Sequence, residues 1–181
     1  MGKEKGVKMS IKTRLLLISV LPAAILSIIL ALIAALNIRT GMQKEAFQGL
    51  RGVAISLQEI YEFSDPGKYV MNETNNLLKK GNLPVSENYT IVDKIKLLTD
   101  YDVTIFYGDM RVTTSLKNGV GVRLVGTKAS EEVVQAVLMD GGEYSDPEIE
   151  INGNPYYGYY VPLQQDGEII GMVFAGLPSG E

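Results

Sequence analysis

The sequence predicts an α+β fold: an N-terminal transmembrane helix continuing into a long second helix, then a domain built on a five-stranded antiparallel sheet. Three observations predict it. Residues 15–36 are an uncharged, almost wholly apolar run of 22 residues. At about Asp102 the spacing of apolar residues changes from near 3.6 to near 2. Beyond that point Gly108-Asp109-Met110, Asn152-Gly153-Asn154 and Gln165-Asp166-Gly167 sit between alternating runs, and the last two are strong hairpin signals.

The first element is a membrane span by length. At about 1.5 Å per residue the run extends about 33 Å as a helix, enough for a hydrocarbon core of about 30 Å. Lys3, Lys5, Lys8, Lys12 and Arg14 precede it against Glu4 alone, and Arg39 follows it, so the positive-inside rule places the N-terminus in the cytoplasm and the rest of the chain outside. A cleaved signal peptide competes with this reading. Its apolar centre, however, is about 7–15 residues long and ends in a small-x-small site, which Ala34-Ala35-Leu36-Asn37 does not supply, so an uncleaved anchor is preferred. Pro22 is tolerated in a membrane helix.

From Thr40 to Phe63 the apolar positions Met42, Ala46, Phe47, Leu50, Val53, Ala54, Leu57, Ile60 and Tyr61 are spaced by three and four, one stripe of an amphipathic helix. The stripe fits a dimer seam or, the preferred reading, a helix packed on its own domain. Asp65-Pro66-Gly67 ends it. Residues 68–83 read as a short polar helix with a turn at Lys80-Gly81-Asn82, and Ser86 as the N-cap before a periodic stretch at 91–98. The β-branched runs 102–107 and 111–116 follow as a hairpin, then a helix at 131–139 capped by Ser130 and stopped by Gly141-Gly142, then strands at 143–151, 156–163 and 168–175. Helices on one side of the sheet complete the expected architecture. Asn72-Glu73-Thr74 and Asn88-Tyr89-Thr90 match the glycosylation acceptor pattern and are given no role.

Composition narrows the chemistry. The chain carries 17 Lys+Arg and 21 Asp+Glu, net −4, and since its first 14 residues hold five bases and one acid the remainder is net −8. An acidic outer domain argues against nucleic acid as a partner. With no cysteine there is no disulfide, thiolate metal site or thiol nucleophile, and with no histidine the commonest general base and metal ligand are missing. No pair of acids stands out for carboxylate catalysis. We therefore expect no enzyme activity, no cofactor and no metal site.

Five blocks in register carry a resemblance: Val112-Thr113-Thr114-Ser115-Leu116, Gly121-Val122-Arg123-Leu124-Val125-Gly126-Thr127, Gly142-Glu143-Tyr144, the block from Gly153-Asn154-Pro155-Tyr156 to Val161-Pro162-Leu163, and the block from Gly167-Glu168-Ile169 to Ala175-Gly176. The chain resembles the extracytoplasmic Cache domain of bacterial methyl-accepting chemotaxis proteins, a relative of the PAS fold. The resemblance implies residues 1–14 as a cytoplasmic basic tail, 15–36 as the transmembrane helix, 37–64 as an extracytoplasmic amphipathic helix and 65–181 as a PAS-like Cache sensory domain. It also implies single-pass placement in the cell membrane, with lipid around the anchor, a homodimer, and a small-molecule ligand such as an amino acid or organic acid between the sheet and its covering loops.

Carried onto this chain, the implied pocket residues are Tyr107, Arg123, Thr127, Tyr144, Tyr157 and Tyr159. A guanidinium fork at Arg123 suits a bidentate carboxylate, and a loop arginine in solvent suits the sequence equally. Tyrosines pair an apolar ring with a polar tip, which fits a pocket or any sheet. Because Tyr156, Tyr157, Tyr159 and Tyr160 occupy one strand, at least two of them face away from any single pocket.

A chemoreceptor continues into a second membrane helix and a cytoplasmic signalling region, which the chain as given does not contain, so it is expected to be a sensory fragment or a short binding protein. The same input domain serves sensor histidine kinases and nucleotide cyclases. A pilin-like structural protein also begins with an apolar helix, but it needs a glutamate near the start of that run, and residues 15–36 contain none.

Overall fold

The computed structural model describes residues 10–72 and 74–179 and separates into two compact units, Met1–Gln43 and Lys44–Glu181. Helix α1 (Ile11–Ser64) supplies the first unit and runs into the second. In the first unit every described side chain of residues 18–36 is exposed, and the helix is long and apolar enough to cross a membrane. Ser19 and Thr40 return their hydroxyls to the carbonyls of Leu15 and Leu36, at 3.0 and 3.1 Å. Most of the basic tail expected at 1–14 lies outside the described residues.

In the second unit the stripe on α1 is buried. Leu50, Ala54, Leu57 and Tyr61 have no exposed surface, and their spacing of four, three and four puts them on one helix face. That face packs on a sheet formed by β4 (Asp102–Tyr107), β5 (Met110–Thr114), β6 (Tyr144–Ile151), β7 (Asn154–Gln165) and β8 (Glu168–Pro178), in the order β5-β4-β8-β7-β6 and antiparallel throughout. Five antiparallel strands behind a long helix confirm the α+β fold. The β6–β7 and β7–β8 turns are of the type their sequences predict: Asn152 and Gly153 lie at φ +52° and +80°, Asp166 and Gly167 at +54° and +84°.

The segment from Lys68 to Leu83 differs from expectation. Instead of a helix it forms β1 (Tyr69–Asn72), β2 (Leu77–Lys80) and β3 (Leu83–Pro84), a separate three-stranded sheet. Asn72 and Asn75 each accept a backbone N–H two residues on, which favours a turn over a helix. Leu78 and Lys80 are the buried positions of β2, and the polar Lys80 hides the period of two. Its ammonium lies 2.9 Å from Glu62, donates to the Gly67 carbonyl at 2.5 Å and stands 4.7 Å over the Tyr69 ring. Ser86 is likewise not a helix cap. Its hydroxyl accepts from the Leu78 N–H at 2.9 Å, tying β2 to the loop, while α2 (Thr90–Thr99) starts after Tyr89 without a side-chain cap.

The helices do not all lie on one side of the sheet. α1 and α2 join Val103, Ile105, Val161, Leu163, Val173 and Ala175 in one core. A second core, Phe106, Leu116, Tyr160, Met172 and Phe174, lies on the other face beneath Val133 and Val137. These two valines belong to α3 (Glu131–Val133) and to the π-helix that continues it over Val134–Met139. Ser130 caps α3 as expected, its hydroxyl accepting from the Val133 N–H at 3.5 Å.

Candidate functional site

Alternation along β7 divides its tyrosines. Tyr157 and Tyr159 belong to the α1 face, where Phe47 lies 6.0 and 6.4 Å from their rings, and Tyr156 and Tyr160 belong to the opposite face. On that opposite face the chain after β5 does not leave the sheet. Residues 117–128 turn back and run along the free edge of β5, with Leu124 N–H bonded to Leu116 O, Gly126 N–H to Arg111 O and Arg111 N–H to Thr127 O. This strap, the start of α3 and the end of β6 line an open cavity of about 240 Å³.

Leu124, Ala129, Ile149 and Ile151 give the cavity apolar walls, and Tyr160, Thr127, Ser130 and Asn152 bring polar groups to it. Arg111 lies in the same lining and is only 6% exposed. It stands opposite Phe106 in the β4–β5 register, and its guanidinium lies 5.0 Å from that ring. One terminal nitrogen, Nη1, donates to the Thr127 hydroxyl and to the Leu124 carbonyl, the latter at 3.4 Å, and Nε has no acceptor. Among the described residues Arg111 forms no ion pair. Burial holds its guanidinium below the ordinary value, and burial pushes the neighbouring Tyr160 hydroxyl up to about 12. Glu150 lines the cavity as an exposed residue, and Lys128 is paired with Asp109 at 2.8 Å.

The six residues implied by sequence do not assemble in one place. Thr127 lines the cavity, and Tyr144 packs beside Tyr160 with ring centroids 6.3 Å apart, its hydroxyl donating to Asp146 at 3.2 Å. Tyr107 belongs to the α1 face. Tyr157 and Tyr159 belong there too, and the Tyr159 hydroxyl donates to Glu143 at 2.6 Å. Arg123 points to α2 instead: it donates to Asp93 at 2.6 Å and to the Thr114 carbonyl at 2.7 Å, and it stacks 4.1 Å from the Tyr89 ring. Its guanidinium holds the strap to the domain. Sequence reasoning passed over Arg111 and Tyr160; the signal available for Arg111 was a charge among the β-branched residues of a strand.

A helix-backed antiparallel sheet with a lined cavity on its far face agrees with a family model. The model described as single cache domain 3 matches residues 83–181. The chain belongs to this family. No curated protein matches it. Cache domains are extracellular sensory domains found in chemoreceptors, kinases and cyclases, and they bind small molecules. The matched residues contain the strap, α3 and β4 to β8, so every wall of the cavity is part of the Cache domain.

The groups at the cavity suit binding. A guanidinium, a tyrosine and small hydroxyls orient a ligand by hydrogen bonds and charge, while the aliphatic walls take up its carbon skeleton. Among the described residues no cluster of three or more carboxylate or other metal-binding side chains is present.

Proposed function

We propose that this chain is the membrane-anchored input module of a chemotaxis receptor, with its Cache domain outside the cell and a small organic ligand held in the cavity between Arg111 and Tyr160. The carrying observation is that cavity. A volume of about 240 Å³ falls below the usual range of ligand sites, which starts at about 300 Å³, so the ligand has few heavy atoms. Five bases against one acid before the apolar run support a cytoplasmic N-terminus and an outer domain. The domain binds without turning its ligand over, since neither histidine nor cysteine is there to supply the usual base or nucleophile. The wording of the strap and of β7 and β8 favours a chemoreceptor, and input to a kinase or cyclase is the second reading.

Two measurements test this. Thermal-shift screening of the full chain in nanodiscs against amino acids and organic acids should yield a stabilising ligand, because saturation at 100 times the dissociation constant adds about 2.7 kcal/mol. The absence of any stabilising compound counts against the binding reading, and consumption of a hit counts against a purely sensory role. For orientation, the native chain is free of cysteine, so Ser145→Cys at an exposed position provides a single label site. Reaction with a membrane-impermeant maleimide on intact cells is expected; protection until lysis would reverse the topology.

A further inference from the structure

We infer that one end of the Cache domain rests on the bilayer surface, through an aliphatic patch formed by Leu97 and Leu98 at the end of α2 and by Val120 and Val122 at the tip of the strap. The inference builds on the reading of residues 15–36 as a membrane anchor. The four side chains are 60–84% exposed, while Val92 and Ile95 of α2 and Leu124 of the strap pack into the two cores. Lys94 lies three and four residues before Leu97 and Leu98, hence on the same helix face, and all three are exposed. On the strap, the Asn118 side chain accepts the N–H groups of Val120 and Val122 at 3.1 and 2.9 Å, which fixes the tip with both valines in solvent. The Asp93–Arg123 pair, at 2.6 Å, joins α2 to the strap one turn before Leu97 and one residue after Val122, so a single crosslink holds both aliphatic pairs.

Lipid is the occupant that chain connectivity favours. Tyr101, directly after α2, packs on Gly49, in the first turns of α1 within the domain. β4 begins beside it at Asp102, opposite Gly176 near the end of β8. β5 runs the other way and the Ser115 N–H bonds Val103 O, so the strap tip lies beyond the start of β4, at the same end of the domain. Residues 37–43 are all that separates the apolar run from the domain, and seven residues reach at most about 25 Å. Charge refines the picture. The outer part of the chain is net −8, which disfavours adsorption of the whole domain to lipid phosphates, so the contact has to be local. Lys94 and Lys117 flank the patch, and a lysine lays its hydrocarbon stem on apolar surface while its ammonium reaches a phosphate. Asp93, the acid beside Lys94, is paired with Arg123. Such a contact gives the domain a second hold on the bilayer besides α1.

The test uses the full chain, one per phosphatidylcholine nanodisc, with an environment-sensitive fluorophore on Val120→Cys, since the native chain has no cysteine. Its emission is expected to be blue-shifted and quenched by a spin label near the lipid headgroup. The same fluorophore on Glu168→Cys, also exposed and at the opposite end of β8, should report water and escape quenching. With Leu97→Asp and Leu98→Asp added, the Val120 label should lose both signals while the melting temperature holds, because exposed side chains contribute little to stability. Leu97→Ser with Leu98→Ser repeats this without added charge should the aspartates lower the melting temperature. A Val120 label as red and unquenched as the Glu168 label overturns the inference. A label shielded but unquenched, and only in discs holding two chains, overturns it too and gives the patch to a second copy. Quenching that survives both double variants removes the leucines from the contact and overturns the patch. The anchor is scored separately: a chain extracted from membranes by alkaline carbonate loses the anchor and this inference together, whereas a resistant chain with an unquenched label loses the docking surface alone.

Discussion

Arg51 and Glu143, 92 residues apart, meet in a two-pronged ion pair, Nε to Oε2 and Nη2 to Oε1, both at 2.7 Å. Arg51 belongs to the part of α1 that packs on the Cache domain, and Glu143 immediately precedes β6, whose far end lines the cavity. The Tyr159 hydroxyl donates to the same carboxylate at 2.6 Å, so one side chain ties the helix to two strands.

The hydrogen bond from Arg51 holds the Glu143 carboxyl below its ordinary value of 4.5. A depressed folded value means stability that is present above the unfolded value and is lost as pH falls through the folded one. The native chain should therefore melt above Glu143→Gln at pH 7, and the gap should close as pH is lowered below about 4. A gap independent of pH would show that the pair does not couple to stability. The pair is partly exposed, so added salt should also narrow the gap at pH 7.

Arg123→Ala should act on stability rather than on ligand binding. Its guanidinium is committed to Asp93, the Thr114 carbonyl and the Tyr89 ring, so truncation is expected to cost about 1.5–3 kcal/mol, the range for hydrogen bonds to charged groups. Chemical denaturation reads this directly. An unchanged midpoint, with ligand affinity reduced instead, would return Arg123 to the binding site.

Burial pushes the hydroxyls of Tyr61, Tyr156 and Tyr160 up to about 12 and that of Tyr69 higher still. In the unfolded chain tyrosine ionises near 10. The stability they contribute is complete below pH 10 and is lost as pH rises toward the folded values, because there the unfolded chain releases protons that the folded one keeps. Absorbance at 295 nm should show part of the ten tyrosines ionising only together with loss of the near-ultraviolet circular dichroism signal, above about pH 10. Ionisation of all ten as one ordinary class in a folded chain would contradict the burial.

Gly81 follows β2 at φ +55°, and a side chain there would meet the Asp65 carboxylate, which accepts the N–H groups of Gly67 and Asn82 at 2.8 and 2.9 Å. Gly81→Ala is expected to lose at least about 1 kcal/mol from the left-handed backbone alone. Breaking the Asp65 contacts should add to that, and a denaturation midpoint equal to the native one would contradict the tight turn.

Much of the architecture was legible because it is written in local patterns. Residues 15–36 declare a membrane-length helix, the stripe through Leu50, Ala54, Leu57 and Tyr61 an amphipathic one, and Asn152-Gly153 and Asp166-Gly167 two hairpins, since each depends only on spacing or on backbone freedom at adjacent residues. The small sheet at 69–84 was not legible, because Lys80 occupies a buried strand position only by finding Glu62 and the Gly67 carbonyl across the fold.

The site was decided by tertiary structure. The resemblance names Arg123 as the arginine for a ligand, with a solvent-exposed loop residue an equal reading, and assigns Arg111 no role. Folding separates their environments: the strap brings Arg123 against Asp93 on α2, and the strand carries Arg111 under that strap to the cavity, where among the described residues it forms no ion pair. Whether a charge is paired depends on groups distant in the chain, and no local spacing records it. The sequence by itself determined a helix-anchored α+β sensory fold, and the packing of the strap on β5 alone decided which arginine faces the cavity.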